Sequence, residues 1–332
     1  MNIEAIIHDN IYNKSYNISD SIGDLQIHSW LEDQPGKCTF TVYKSSTLAF
    51  WEGATISITI DGKGVFKGYI QKKERDSDVQ TIKCTAYDQL LYWKAKHFEK
   101  IENKTSDQLF EFLCNDQKFL YGENPLQYEV IDRSSYVCTD RIADNETMYD
   151  TQKQAFWDTI INTGERFIIR DNFGTLNHVN IKTLKTNLIF GDKSGINNFS
   201  YASDISQDTY NAIVLYKDNP ETKEREEYKF IDSNTFKRWG ILQLYEGVDE
   251  NMNEAQISQR GENLLKYYNV VNRSLKLECI GNFNVFAGAI IRCAISDLGD
   301  LSINADLLVT ECTHKITSDE HTMSLKVELV IP

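Results

Sequence analysis

Apolar residues recur at every second position through both ends of the chain, and at three- and four-residue spacing only in short stretches of its middle. Period two places alternate side chains on opposite faces of a strand, so the ends predict half-buried β-sheet. Residues 18–30 contain such a segment, and residues 37–44 form another after the turn pair Pro35-Gly36. Ile56, Ile58 and Ile60 alternate with Ser57 and Thr59 and run into Asp61-Gly62, with Val65 and Phe66 starting the return. That is a hairpin signal, because Asp-Gly accepts the positive φ of a tight β-turn. Gln71–Val79 reads as a charged turn, followed by a strand to Tyr87 and a short helix through Trp93.

The middle changes period. Thr105 with Gln108 has the spacing of a helix capping box, and Leu109, Phe112 and Leu113 follow at helical spacing. Residues 132–150 are polar and predict a loop. Thr151 with Gln154 predicts a second box, opening a helix that carries Phe156, Trp157, Ile160 and Ile161 and stops at Gly164. A hairpin is expected over 166–179, turning at Asp171–Gly174. Beyond it the strands return. Ala212–Tyr216 is apolar, the highly charged stretch Lys217–Glu227 should tip a solvent-exposed hairpin, and Asn253 with Gln256 caps a third helix. The last strand alternates Met323, Leu325, Val327 and Leu329.

Two of these β stretches echo one another across more than two hundred residues. Phe50, Gly53-Ala54, Ile56 and Ile58 lead to Gly68–Ile70 and to Ile82, Cys84 and Ala86. Phe286, Gly288-Ala289, Ile291 and Cys293 lead to Leu307–Val309 and to Met323, Leu325 and Val327. A duplicated β module implies one fold used twice, which suits ring building better than a single catalytic pocket. Chance likeness between two β meanders is the alternative. The expected class is mainly β (α+β), with barrel domains at 1–95 and 196–332, a mixed α+β domain at 96–195, and a charged hairpin and helix inserted near 217–270.

At 332 residues the chain can hold two or three cores. No run approaches the roughly 18 apolar residues that span a bilayer, and the first residues lack a basic and apolar leader pattern. Synthesis in a cytosol without membrane insertion is expected. The net charge of −14 argues against gripping nucleic acid through its phosphates. Seven cysteines form no CxxC pair, and Cys38, Cys84 and Cys293 alternate with apolar strand residues, so they read as core side chains. There is no GxGxxG, GxxxxGK[ST], GxSxG or HExxH motif. Cys312, His314 and His321 are the best metal candidates, but they lack a fourth ligand, and a core cysteine beside an edge histidine explains the same pattern. Cys84 or Cys114 could pair with a distant histidine as a nucleophile, with nothing local in support. Carboxylates are too abundant for any pair to be singled out. No catalytic, cofactor-binding or metal residue is therefore assigned, and no cofactor is expected.

Gly53–Ile58 leading to Val65–Ile70 and then Cys84–Leu91, with Gly164–Ile168, Asp171–Leu176, Gly288-Ala289, Leu308–His314 and His321–Leu325, resembles the baseplate hub proteins of contractile-tailed phages. Among these it is most similar to the XkdQ/YqbQ-type hubs of Gram-positive prophages and phage-tail-like bacteriocins. The resemblance covers nearly the whole chain, the charged 217–227 segment being the poorest match. It implies two tail-tube-like barrels per subunit. It also implies a homotrimeric ring that adapts a sixfold tail tube to a threefold central spike, bound to tube, spike and other baseplate proteins. Such a ring is a channel for DNA or a tape-measure protein, without specific nucleic-acid binding. The implied location is the baseplate of a virion or tail-like particle made in the bacterial host cytoplasm. It transfers no catalytic residue. A cell-wall-degrading tail enzyme and a carbohydrate-binding tail or adhesin protein are the alternatives.

Overall fold

A computed structural model describes residues 1–32, 34–77, 80–116, 126–191, 194–218, 223–250, 252–296, 302–317 and 319–329. The first barrel is built from β1 (Ile3–Asp9), β2 (Lys14–Asn17), β3 (Ile22–Trp30), β4 (Lys37–Tyr43), β5 (Thr55–Ile60), β6 (Lys63–Glu74) and β7 (Thr81–Tyr87). They pair in the order β2-β1-β5-β6-β7-β4-β3. Their alternating apolar residues converge on one core, with Ile7, Phe40, Ile56, Ile58 and Ile70 fully buried. The Asp61-Gly62 turn has φ of +48° and +78°, as its composition predicts.

The middle unit holds β8 (Lys96–Ile101), helix α1 (Ser106–Asp116), β9 (Tyr128–Val130), β10 (Arg141–Thr147), α2 (Met148–Thr163), β11 (Phe167–Asp171) and β12 (Leu176–Asn180). Trp93, Phe110 and Leu113 centre its core. The polar stretch 132–150 is not all loop, because β10 pairs antiparallel with β8. Helix α2 also starts a turn earlier than the Thr151 box suggests. Thr147 is its cap, accepting from the Asp150 N–H, while Thr151 lies buried inside the helix with its hydroxyl on His97. Gly164 ends the helix in left-handed backbone, as read from sequence.

The second barrel uses β13 (Lys185–Gly191), β14 (Ile196–Asp204), β18 (Asn272–Ile280), β19 (Ile290–Ile295), β20 (Ile303–Ile316) and β21 (His321–Leu329). Strand β13 falls inside 96–195, yet it pairs in parallel with β19 and so belongs to this barrel. Inserted between β14 and β18 is a third unit: β15 (Ala212–Asp218), β16 (Arg225–Ile231), α3 (Ser233–Trp239), β17 (Gln243–Gly247) and α4 (Glu254–Tyr268). The charged stretch does tip a hairpin, with β15 and β16 paired from Ala212–Ile231 to Asp218–Arg225. Residues 219–222 of the charged stretch lie outside the described residues.

The echo seen in the sequence is a structural repeat. In each barrel a glycine with positive φ, Gly53 at +88° and Gly288 at +100°, introduces the next strand. The Gly53 N–H donates to the Ile70 carbonyl and the Ile70 N–H to Ala54; the Gly288 N–H donates to Val309 and the Val309 N–H to Ala289. One residue beyond each of these partners the ladder is broken by a bulge, between Ile70 and Lys72 in β6 and between Val309 and Glu311 in β20. The repeat also corrects the register read from aromatic identity. The Ala54 N–H bonds Trp51 and the Ala289 N–H bonds Phe286, so Phe286 matches Trp51. Phe50 matches Val285, and both are buried.

Candidate assembly interface: the seam between the barrels

The two barrels share one continuous sheet, and the strand that joins them is β20. Its first half pairs with β19, Ile303 opposite Ile295 through Leu308 opposite Ile290. From Glu311 onward the same edge pairs with β3 of the other barrel, Glu311 opposite Trp30 through Ile316 opposite Leu25. The bulge at Thr310 makes this exchange possible, since an extra residue bends a strand and re-aims its edge. The Thr310 carbonyl accepts from the Leu31 N–H at 2.8 Å. Thr313 Oγ1 meets His28 Nδ1 at 3.0 Å across the seam, and Ile316 buries itself in the first barrel's core.

The middle unit braces this seam from one side. Leu31, Ile168, Val179, Ile181, Ala287, Ile290 and Leu308 form one apolar cluster drawn from both barrels and the middle unit. Beside it Arg166 bonds Glu328 at 2.8 Å and Glu32 at 3.2 Å. Burial opposes the Arg166 charge, but the two carboxylates outweigh it and hold its pKa above the usual value. On the first barrel, buried Asp88 accepts from the Gly36 and Leu90 N–H groups. Asp171, at the end of β11, accepts from Gln89 and Gly174. Burial first, then the neighbouring Asp171 carboxylate, pushes Asp88 well up. A Cβ on Gly36 would sit 2.4 Å from the Asp88 carboxylate, so the backbone at Gly36 packs directly against it.

The structure does bring Cys312, His314 and His321 together. His314 Nδ1 lies 3.0 Å from His321 Nε2, while His314 Nε2 lies 3.3 Å from Cys312 Sγ and 2.9 Å from the Val285 carbonyl. Cysteine and second histidine thus address opposite nitrogens of one ring, and cannot share an ion with it. Burial, with His321 and Lys63 assisting, pushes His314 down to about 4, so it is neutral near pH 7. Its Nε2–H donates to Val285, leaving Nδ1 to accept from His321. Phe283 stacks on His321 at 4.1 Å. Burial raises the Cys312 thiol, so the pair is a thiol beside a neutral imidazole, not an activated nucleophile. Cys84 and Cys114 are buried, with burial pushing Cys84 up to about 12 and raising Cys114 as well; neither is hydrogen-bonded to a histidine among the contacts described. Among the described residues no group of three or more His, Cys, Asp or Glu could hold a metal ion, and no helix is long and apolar enough to cross a membrane. A cleft of about 380 Å³ between the middle unit and the end of β3 is lined by aromatics including Phe156, Trp157 and Tyr267. Its charged lining residues, Glu32 and Lys153, lie 3.7 Å apart as an ion pair.

Sequence reasoning missed the seam because its register depends on a bulge and on strands almost three hundred residues apart. The local signal was the length of β20, 14 residues from Ile303 to Ile316.

Comparison with known proteins places this architecture. The chain is 25% identical over 287 residues to the phage-like element PBSX protein XkdQ of Bacillus subtilis, covering 83% of this chain and 81% of that protein. The 43 kDa tail protein of prophage MuSo2 from Shewanella oneidensis superposes with a TM-score of 0.72 at 13% identity, over 99% of this chain and 100% of the other. An E. coli type VI secretion component, described as structurally similar to T4 bacteriophage tail proteins gp27 and gp5, superposes with a TM-score of 0.57 at 9% identity, over 94% and 77%. These solved structures share the fold. A family model described as YQBQ-like matches residues 25–328, and the chain belongs to that family.

Proposed function

We propose that this protein is a structural component of a phage tail or tail-like injection particle, and specifically the hub of its baseplate. Three copies would close a ring of six similar barrels, joining a sixfold tail tube to a threefold central spike and leaving a channel for DNA or a tape-measure protein. The observation that carries this reading is the repeated barrel fused edge to edge within one chain. A lone binding or catalytic domain has no need of a second barrel in matched register, whereas a symmetry adaptor does. The family match and the prophage tail relatives support the setting. The role proposed is assembly without catalysis, in the baseplate of a particle made in the host cytoplasm.

An electron reconstruction of the parent particle tests it. Three copies of the chain at the end of the tail tube are expected; one or six copies per ring, or a position on peripheral fibres, would refute the hub. Purified protein should leave the turbidity of a cell-wall suspension unchanged, and clearing would favour the wall-degrading alternative.

A further inference from the structure

The seam inside the chain is a template for a seam that the chain leaves unmade. The repeat equates β6 with β20 and β3 with β14. Ile70 corresponds to Val309, as their shared hydrogen bonds and bulges fix. Strand β3 bulges against β4 between Gly23 and Gln26, and β14 bulges against β18 between Ile196 and Asn198. Ile22 and Ile27 thereby match Ile196 and Tyr201, opposite the equivalent partners Val42 and Cys38 in one case and Cys279 and Leu275 in the other. In barrel two, β20 gives its post-bulge edge to β3. In barrel one the post-bulge part of β6 pairs only with β7, and β14 ends the sheet with only β18 beside it, among the described residues. One chain thus carries both halves of the same joint, on opposite barrels and both open.

We infer that β14 of one copy adds to the post-bulge edge of β6 in the next copy, in the register of the internal seam. This rests on the ring proposed above and supplies its contact. Transferring the pairs Glu311–Trp30, Cys312–Ser29 and Thr313–His28 sets Lys72 opposite Asp204, Lys73 opposite Ser203 and Glu74 opposite Ala202. The Leu31 N–H to Thr310 carbonyl bond becomes Ile205 N–H to the Gln71 carbonyl. The register was fixed by backbone equivalence alone, yet it pairs a lysine with an aspartate. Lys72, Glu74, Ala202 and Asp204 are exposed in the single chain, and exposed strand edges are ready templates for a second chain. Because the joint uses two different surfaces, it is head-to-tail and closes into a ring when the rotation permits.

Thr313 and His28 touch across the internal seam, so their counterparts Glu74 and Ala202 suit a disulfide, directly opposed Cβ atoms being close enough for one. Particles carrying Glu74→Cys and Ala202→Cys together, oxidised and run without reductant, should move the chain from 38.3 kDa to two and three times that mass. Either single variant, or Glu74→Cys with Asn198→Cys, should not. Reconstruction of the same particles counts the copies. Three copies per ring without the specific cross-link overturn this seam and leave the hub intact, while another copy number overturns the hub itself. If the cysteine variants do not assemble, Lys72→Asp and Asp204→Lys should each lower particle yield at least several-fold and together restore it; no restoration overturns the register.

Discussion

Gly53 and Gly288 hold the same place in the two barrels and the same left-handed backbone, but different surroundings. A Cβ built on Gly53 meets nothing within 4 Å, whereas one built on Gly288 lies 2.3 Å from Ile168 Cδ1 in the middle unit. Replacing each by alanine separates two costs. Gly53→Ala should cost only the strain of an L-residue at positive φ, about 1–2 kcal/mol. Gly288→Ala adds overpacking against Ile168, about 1–3 kcal/mol more, for a total of roughly 2–5 kcal/mol. Ile168→Val removes the offending methyl. Alone it should cost about 0.5–1.5 kcal/mol, but in the Gly288→Ala background it should cost nothing or stabilise. Urea denaturation followed by circular dichroism, with slopes checked for equality, measures all four chains of the cycle. Equal costs for the two alanines, or an additive cycle, would refute the claim that Gly288 is the point where the middle unit locks onto the second barrel.

The His314 cluster predicts a pH dependence. Its folded pKa of about 4 lies below the usual 6.5, so the unfolded chain binds the extra proton and the stability this group confers is lost as pH falls from about 6.5 toward 4. The loss reaches at most about 3 kcal/mol at pH 4, and the slope should be absent from His314→Gln and so appear in the difference between it and wild type; an unchanged slope in the variant would show that another group carries it. Replacing residues 218–226 by an Asn-Gly turn removes the exposed Asp218–Arg225 pair, whose attraction solvent largely screens. Soluble folded yield should be kept and baseplate assembly weakened, whereas loss of folded protein would make the hairpin structural.

The elements legible from sequence were those fixed by local chemistry. The Thr105–Gln108 box closes reciprocally, Thr105 N–H to Gln108 Oε1 at 3.0 Å and Gln108 N–H to Thr105 Oγ1 at 3.4 Å. The Asn253–Gln256 box does the same. The repeat was legible because glycine at positive φ and alternating apolar residues are demanded at both sites. Its exact register was not, since the position before the turn needs only a buried apolar group, which Phe50 and Val285 both supply. Strand β13 was hidden because it pairs in parallel with a strand about a hundred residues later, a contact without a local signal. The cluster at His314 was visible as a spacing on one strand and across a turn. Which ring nitrogen faces which partner, and hence why the cysteine and the second histidine cannot share an ion with it, required the side-chain geometry.

The sheet face turned away from the cores is the one that the proposed ring would present to its channel. An open groove on that face is lined by Asp24, Gln26, His28, Lys37, Thr39, Thr41 and Lys83. Burial, with Lys37 and Lys315 nearby, lowers the His28 pKa, so it adds no charge near neutral pH. Lys326 bonds Glu311 at 3.0 Å and Lys72 lies 2.8 Å from Glu74, so two of the lysines along the seams are answered locally. Charges elsewhere on the surface do not alter this wall, because at physiological salt their field decays within about 8 Å. With the two seam lysines paired, and with Asp24 in the same groove as Lys37 and Lys83, such a wall releases few counterions from a passing phosphate backbone. Duplex DNA should therefore show no gel retardation by the assembled protein at about 0.15 M salt. Glu311→Lys frees Lys326 and adds a further cation to each chain, and should create retardation that fades as salt rises. Tight, salt-sensitive binding by the unaltered protein would refute a wall built for sliding.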